Sequence, residues 1–154
     1  MKITISEVIS APIARVFDVM SDISKAEERI PGIEKIDILS DIKSGEGLHW
    51  RETRVMFGKE ATEEMAIVKY DPPTYYCVDA ASHGMEYRSE YTFSEVNGAT
   101  NLEMIFMGIP KSLGAKIFAP IMAIFFKGAT KKALEKDILE LKALLEEEAA
   151  GGAS

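Results

Sequence analysis

Cysteine occurs once in this 154-residue chain, at Cys77, and histidine only twice, at His49 and His83. A lone cysteine excludes an internal disulfide and zinc sites built on several thiolates, and it leaves a reducing compartment open. Basic side chains are also scarce: 18 Lys and Arg against 25 Asp and Glu give a net charge of −7. That sign argues against nucleic-acid binding and against a polybasic membrane anchor. Stable membrane insertion is not expected either, because the apolar run Ile117 to Phe126 is about half a bilayer span and contains Pro120. No charged leader with an apolar block precedes the first alternating segment, so a cytoplasmic location is expected. A Gly-x-Ser-x-Gly nucleophile elbow is absent, and Gly45-Glu46-Gly47 leads into a strand pattern, which makes it a hairpin connection and not a phosphate cradle.

With 47% apolar and 28% charged residues, the composition is that of a folded globular chain about one domain long. Lys2 to Ser10 alternates Ile3, Ile5 and Val8 with polar residues and predicts a first strand, irregular near Glu7. Pro12 starts a short helix whose Ile13, Val16, Phe17 and Met20 share one stripe. Ser24 is the expected N-cap of a second helix ending near Arg29, before Pro31-Gly32. Strand patterns then follow one another over Ile33–Leu39, Leu48–Phe57, Glu60–Tyr70, Tyr75–Ala81, Met85–Glu95 and Thr100–Gly108. Asn97-Gly98 is a strong two-residue hairpin signal. On either side of it, Tyr87, Tyr91 and Phe93 and then Leu102, Met104 and Phe106 occupy one parity and are expected to face inward. Leu48–Phe57 can be read either way; the even set with Trp50, Glu52 and Arg54 is preferred. Glu60–Tyr70 turns Ala61, Met65 and Ile67 inward, and Glu63 with them.

The last third is unusual. Leu113 to Phe126 carries only Lys116 as a charge and has no polar face, whereas Leu134, Ile138, Leu141 and Leu145 form an ordinary apolar stripe. The stripe of Ile117, Ile121 and Ile124 is about one residue out of phase with the later one. A bend, tightened turn or short break between Phe126 and Ala133 is therefore expected, with Gly128 as the weak point. From Glu146 to Ser154 nothing remains to bury, and residues 149–154 read as a flexible tail behind a single domain, 1–148.

Several segments, in order, resemble the START-like SRPBCC superfamily, in its polyketide cyclase/dehydrase and lipid-transport branch. They are Ala11-Pro12 with Val16 to Asp22, Pro31 to Ile36, Gly45 to Trp50, Asp71-Pro72-Pro73, Tyr91-Thr92-Phe93 with Gly98-Ala99-Thr100, and Leu134 to Ile138 with Leu141-Lys142. The resemblance implies an α+β helix-grip fold: a curved antiparallel sheet of about seven strands wrapped around a long C-terminal helix, with two short helices after the first strand. It also implies a cavity between sheet and helix for a hydrophobic small molecule such as a lipid, sterol or polyketide-like compound. It does not imply a reaction, since fold and chemistry are separable.

The expected cavity lining is Trp50, Arg54, Met65, Tyr76, Tyr87, Tyr91, Met104 and Phe106 from the sheet, and Ile117, Ile121, Met122 and Phe125 from the helix. Glu52, Arg54, Glu63, Tyr87 and Tyr91 are the candidates for polar chemistry within it. Cys77 reads as a sheet residue and His83 as a solvated turn; His49 faces cavity or solvent according to register. No metal or cofactor is expected. Three functional readings stay open: a carrier, an enzyme of cyclase or dehydrase type, and an interaction module using the 113–126 segment.

Overall fold

The computed structural model describes residues 1–56 and 58–152. The expected strand end at Phe57 and the tail residues Ala153 and Ser154 lie outside the described residues. Strand β1 (Lys2–Ile9) is followed by helix α1 (Ile13–Ser21), a 3-10 turn (Ile23–Lys25) and helix α2 (Ala26–Arg29). Strands β2 (Ile33–Ile38), β3 (His49–Met56), β4 (Lys59–Asp71), β5 (Tyr75–Ser82), β6 (Met85–Val96) and β7 (Ala99–Pro110) come next, and helix α3 (Leu113–Gly152) is the last described element. All strands are antiparallel in one sheet of order β1-β7-β6-β5-β4-β3-β2, the helix-grip arrangement expected.

Register follows the side-chain alternation. Trp50 pairs with Met65, Met65 with Ala80, Ala80 with Tyr87 and Tyr87 with Gly108, so these positions share one face across four strand pairs. The even set of β3 therefore faces inward. The turns Asn97-Gly98 (φ 50° and 81°) and His83-Gly84 (φ 50° and 76°) both place two consecutive residues at positive φ, as two-residue hairpins of right-twisted strands require. Register shifts between Ile33 and Lys35 and between Ile67 and Lys69 mark bulges, which bend strands and curve a sheet.

The core lies at one end of the concave face. Phe17 of α1 is fully buried against Tyr70, Tyr76 and Phe93, with ring centroids 5.2, 5.7 and 5.4 Å away. Ile138, Leu141 and Leu145 of α3 close the same cluster over Ile3, Ile5 and Ile9 of β1. Each such large apolar side chain contributes about 1.5–3 kcal/mol through burial.

Four local expectations are corrected. Strand β1 keeps regular pairing through Glu7; the pattern breaks there because Glu7 sits on the inward parity and meets Lys142 Nζ at 3.3 Å, while Val8 points outward and Ile9 is buried. Ser24 does not cap a helix but lies within the 3-10 turn, where its hydroxyl donates to Asp22. Between Phe126 and Ala133, α3 stays α-helical, with neither a break nor a tightened turn. Beyond Glu146 the chain continues that helix to Gly152: Glu146 accepts the Ser10 backbone N–H at 2.8 Å, Glu148 meets Arg15 at 3.0 Å, and Ala149 packs on the core.

Candidate functional site

Helix α3 is fastened to the sheet at two places. At its start, the backbone N–H groups of Lys111 and Ser112 donate to the Gly84 carbonyl, and Ser112 Oγ accepts the Ala115 N–H at 3.1 Å. Farther along, Arg54 of β3 donates to Asp137 at 2.8 Å, and the buried stripe from Ile138 to Leu145 begins. The 22 residues between Ala115 and Asp137 span about 33 Å of helix. None of residues 113–133 is buried.

One continuous helix explains this. The least exposed positions of its first half are Ala115, Ala119, Ala123, Phe126 and Thr130, at spacings of four and three, in line with Leu134 and Asp137. Because Leu134, Ile138, Leu141 and Leu145 fix the helix's rotation, the phase difference in the sequence is resolved by turning the bulky side chains off the sheet. Ile117, Ile121, Met122 and Phe125 are therefore exposed, at 59%, 51%, 49% and 72%. Mostly small side chains look down on the sheet instead.

Beneath this bridge, Met65, Tyr87 and Phe106 are only half-buried, and Tyr87 stacks on Phe106 at 5.7 Å. Solvent therefore reaches this part of the concave face. Gly108 lets Tyr87 and Met85 lie close to the sheet, since a Cβ there would meet them at 3.5 and 3.4 Å. Toward the core this surface meets Trp50, Met104 and Tyr76, all at least 97% buried; Tyr76 donates to the Met20 carbonyl at 3.0 Å, and Tyr91 stacks on its ring at 4.5 Å.

At this boundary the polar candidates come together. Arg54 Nε donates to Glu52 at 2.5 Å, and Trp50 Nε1 approaches the other Glu52 oxygen at 3.5 Å. Burial disfavours the Arg54 charge, but Glu52 and Asp137 outweigh it and hold the guanidinium firmly protonated. Burial pushes the Asp137 carboxyl up against the pull of Arg54, and pushes the Tyr91 phenol up beside Asp137 and Glu52.

Glu63, directly across β3–β4 from Glu52, makes no hydrogen bond or ion pair among the described residues. Its carboxyl is raised by burial and then by the Glu52 charge. The Tyr87 phenol is raised by burial and by Glu63 in turn. Three carboxylates thus share one arginine, and Glu63 is the one left over.

Asp137 is the residue sequence reasoning missed as a site member. The signal was present: it lies four residues before Leu141, on the stripe that faces the sheet. His49 projects to the convex side and meets Glu64 at 3.3 Å, next to a groove of about 520 Å³ also lined by Asp79, Arg88 and Lys111. His83 is exposed in its turn, and Cys77 is a buried free thiol whose pKa burial raises. Among the described residues, no group of three His, Cys, Asp or Glu side chains is placed to hold a metal ion.

Comparison with known proteins agrees with this architecture. The structure superposes on one domain of StfQ, the di-domain aromatase/cyclase of the steffimycin biosynthetic pathway, with a TM-score of 0.81 and 11% identity over 97% of this chain and 52% of that one. It superposes on the Zhui aromatase/cyclase of Streptomyces sp. R1128 with a TM-score of 0.76, 13% identity and 95% and 93% coverage. For Ara h 8.0201 the values are 0.74, 15%, and 94% and 97%. These identities establish a shared fold. No curated protein sequence matches the chain. The sequence profile of the family described as polyketide cyclase / dehydrase and lipid transport matches residues 1–146, and the chain belongs to that family, within the START-like SRPBCC superfamily.

Proposed function

We propose that the protein binds a hydrophobic small molecule, lipid-, sterol- or polyketide-like, in the cleft between the concave sheet face and the first half of α3. The observation that carries this reading is the pairing of an apolar floor, Met65, Tyr87 and Phe106, with two polar groups that have no hydrogen-bond partner among the described residues, the Glu63 carboxyl and the Tyr87 hydroxyl. A ligand carbonyl or hydroxyl placed there would meet a donor and an acceptor while its apolar body covers the half-exposed rings. The Glu52–Arg54–Asp137 cluster gives that end of the cleft fixed polarity and ties the floor to the helix. The family description and the cyclase neighbours support a cavity-type ligand site. Its setting on this reading is the cytoplasm, in keeping with the free thiol of Cys77.

Native mass spectrometry of the protein purified from its own host tests the proposal, with a co-purifying small molecule as the expected result. Displacement of an apolar fluorescent dye supplies the second arm. Ala119→Leu with Ala123→Leu, which fill the cleft from above, should weaken dye binding at least tenfold; unchanged binding would refute the assigned cleft.

A second reading is favoured by Glu63 alone. A half-buried carboxyl with a raised pKa, beside a phenol, is suited to move a proton to or from a bound carbonyl compound, as a cyclase or dehydrase requires. Deuterium exchange into a bound ketone, lost in Glu63→Gln with binding retained, would distinguish the enzyme from the carrier.

A further inference from the structure

The outward side of α3 is a second feature, independent of what the cleft holds. Phe118 is 62% exposed, Phe125 72% and Ile124 81%. At about 100° per residue, Ile117, Phe118, Ile121, Ile124 and Phe125 fall within an arc of about 120°, on the side opposite the alanine seam. Soluble surfaces rarely show so contiguous an apolar patch without a partner.

Its charge surroundings identify the partner. Between Glu103 and Glu135 there is no acidic residue, yet five lysines, Lys111, Lys116, Lys127, Lys131 and Lys132, in a chain whose acids outnumber its bases 25 to 18. Lys111 pairs with Glu86 and Lys131 with Glu135, both in the open; Lys116, Lys127 and Lys132 make no ion pair among the described residues. By the same geometry Lys131 lies about 20° and Lys127 about 60° beyond Ile124 on one edge of the patch, and Lys132 lies in line with it two turns beyond Phe125, so that their stems can lie along a bilayer while the ammonium groups reach headgroups.

We propose that the first half of α3 docks in the plane of an anionic phospholipid surface, with Phe118, Ile121 and Phe125 entering the acyl boundary and the lysines contacting headgroups. A second copy of the chain fits less well: it would bring the same lysines and no carboxylate to offset them, since no acidic residue lies between Glu103 and Glu135. Spanning the bilayer is not involved, since acidic residues resume at Glu135 and the helix beyond it is held by the core.

Sedimentation with vesicles of phosphatidylcholine containing about 30% phosphatidylserine is the test. Binding to these is expected at about 0.1 M salt, at least tenfold weaker to pure phosphatidylcholine, and strongly reduced at about 0.5 M salt. Phe118→Glu with Phe125→Glu should abolish it while leaving the far-ultraviolet circular dichroism unchanged, because both side chains are exposed. In an Ile124→Trp variant the added indole should shift to the blue on anionic vesicles, against a silent background from the buried Trp50. Absence of binding to anionic vesicles, equal binding by the double glutamate variant, or a stable dimer dispersed by that variant would each overturn the proposal.

Discussion

The Arg54 guanidinium of β3 holds the Asp137 carboxylate of α3 at 2.8 Å while its Nε is bound to Glu52, and all three side chains are at least three-quarters buried. This contact joins two elements far apart in the chain at the point where the free half of α3 becomes the clamped half. Replacing Arg54 by Met leaves two buried carboxylates without a cation. A loss of about 2–4 kcal/mol is expected in urea denaturation near neutral pH. The loss should shrink as the pH falls, because the Asp137 carboxyl, raised by burial, can then take up a proton. Combining Arg54→Met with Asp137→Leu should recover part of it.

Glu63 has the opposite character. Its folded-state pKa is raised, so the folded protein favours the protonated carboxyl, and that contribution is lost as the pH rises through the folded pKa. Glu63→Gln should therefore raise Tm at pH 7. Solvent reaches the half-buried group, which keeps the gain below about 1 kcal/mol. Near pH 3.5, below the usual carboxylate range, the two proteins should melt together; a variant less stable at pH 7 would contradict the assignment.

Gly84 is the hinge post at the start of α3. Its φ of 76° strains any other residue, and an added Cβ would overlap Ser112 Oγ. Gly84→Ala is expected to cost about 1–2 kcal/mol from the backbone alone, with more from the clash. Ser112→Gly in the same chain should relieve the clash and leave the backbone part, once the loss of the Ser112–Ala115 contact is subtracted with Ser112→Gly alone, as thermal unfolding of the three variants would show.

Hydrogen exchange should divide α3 in two. Amides of residues 116–132, which no core side chain covers, are expected to exchange faster than those of 138–145, which carry Ile138, Leu141 and Leu145. Equal protection throughout would mean that the first half is covered in solution.

How far the sequence reaches depends on how local each cause is. The β6–β7 hairpin is legible because Asn97-Gly98 fixes the register and Tyr91, Phe93, Leu102 and Met104 all confirm one face. In β1 the same logic stumbles, since the pattern cannot show that Glu7 points inward to meet Lys142, 135 residues later. The bulge after Ile67 brings Tyr70 opposite Tyr76 and onto Phe17, a change of parity that no turn residue announces. In α3 the out-of-phase stripes are visible in the sequence, but either a joint or a rotated, uncovered half satisfies them. Which one occurs is decided by the remote Arg54–Asp137 and Gly84–Ser112 contacts. Glu63 could be placed on the inward face from alternation alone; its lack of a partner follows from Asp137 taking the remaining side of Arg54.

The sheet order carries a consequence for how the protein is made. Strand β1 pairs with β7 alone, from Lys2 opposite Met107 to Ile9 opposite Thr100, and its inner face is covered by α3. On a ribosome adding about 5–20 residues per second, the first strand waits roughly 5–20 s for its partner, with Ile3, Ile5 and Ile9 uncovered. The strands from β2 to β7 can meanwhile zip together as a meander of neighbouring hairpins, so the first strand of this sheet to be made is the last to join it. That interval is when chaperones and proteases have their best access to this chain, and substitutions that slow the β7 hairpin would lower its cellular yield even where the finished fold is unchanged.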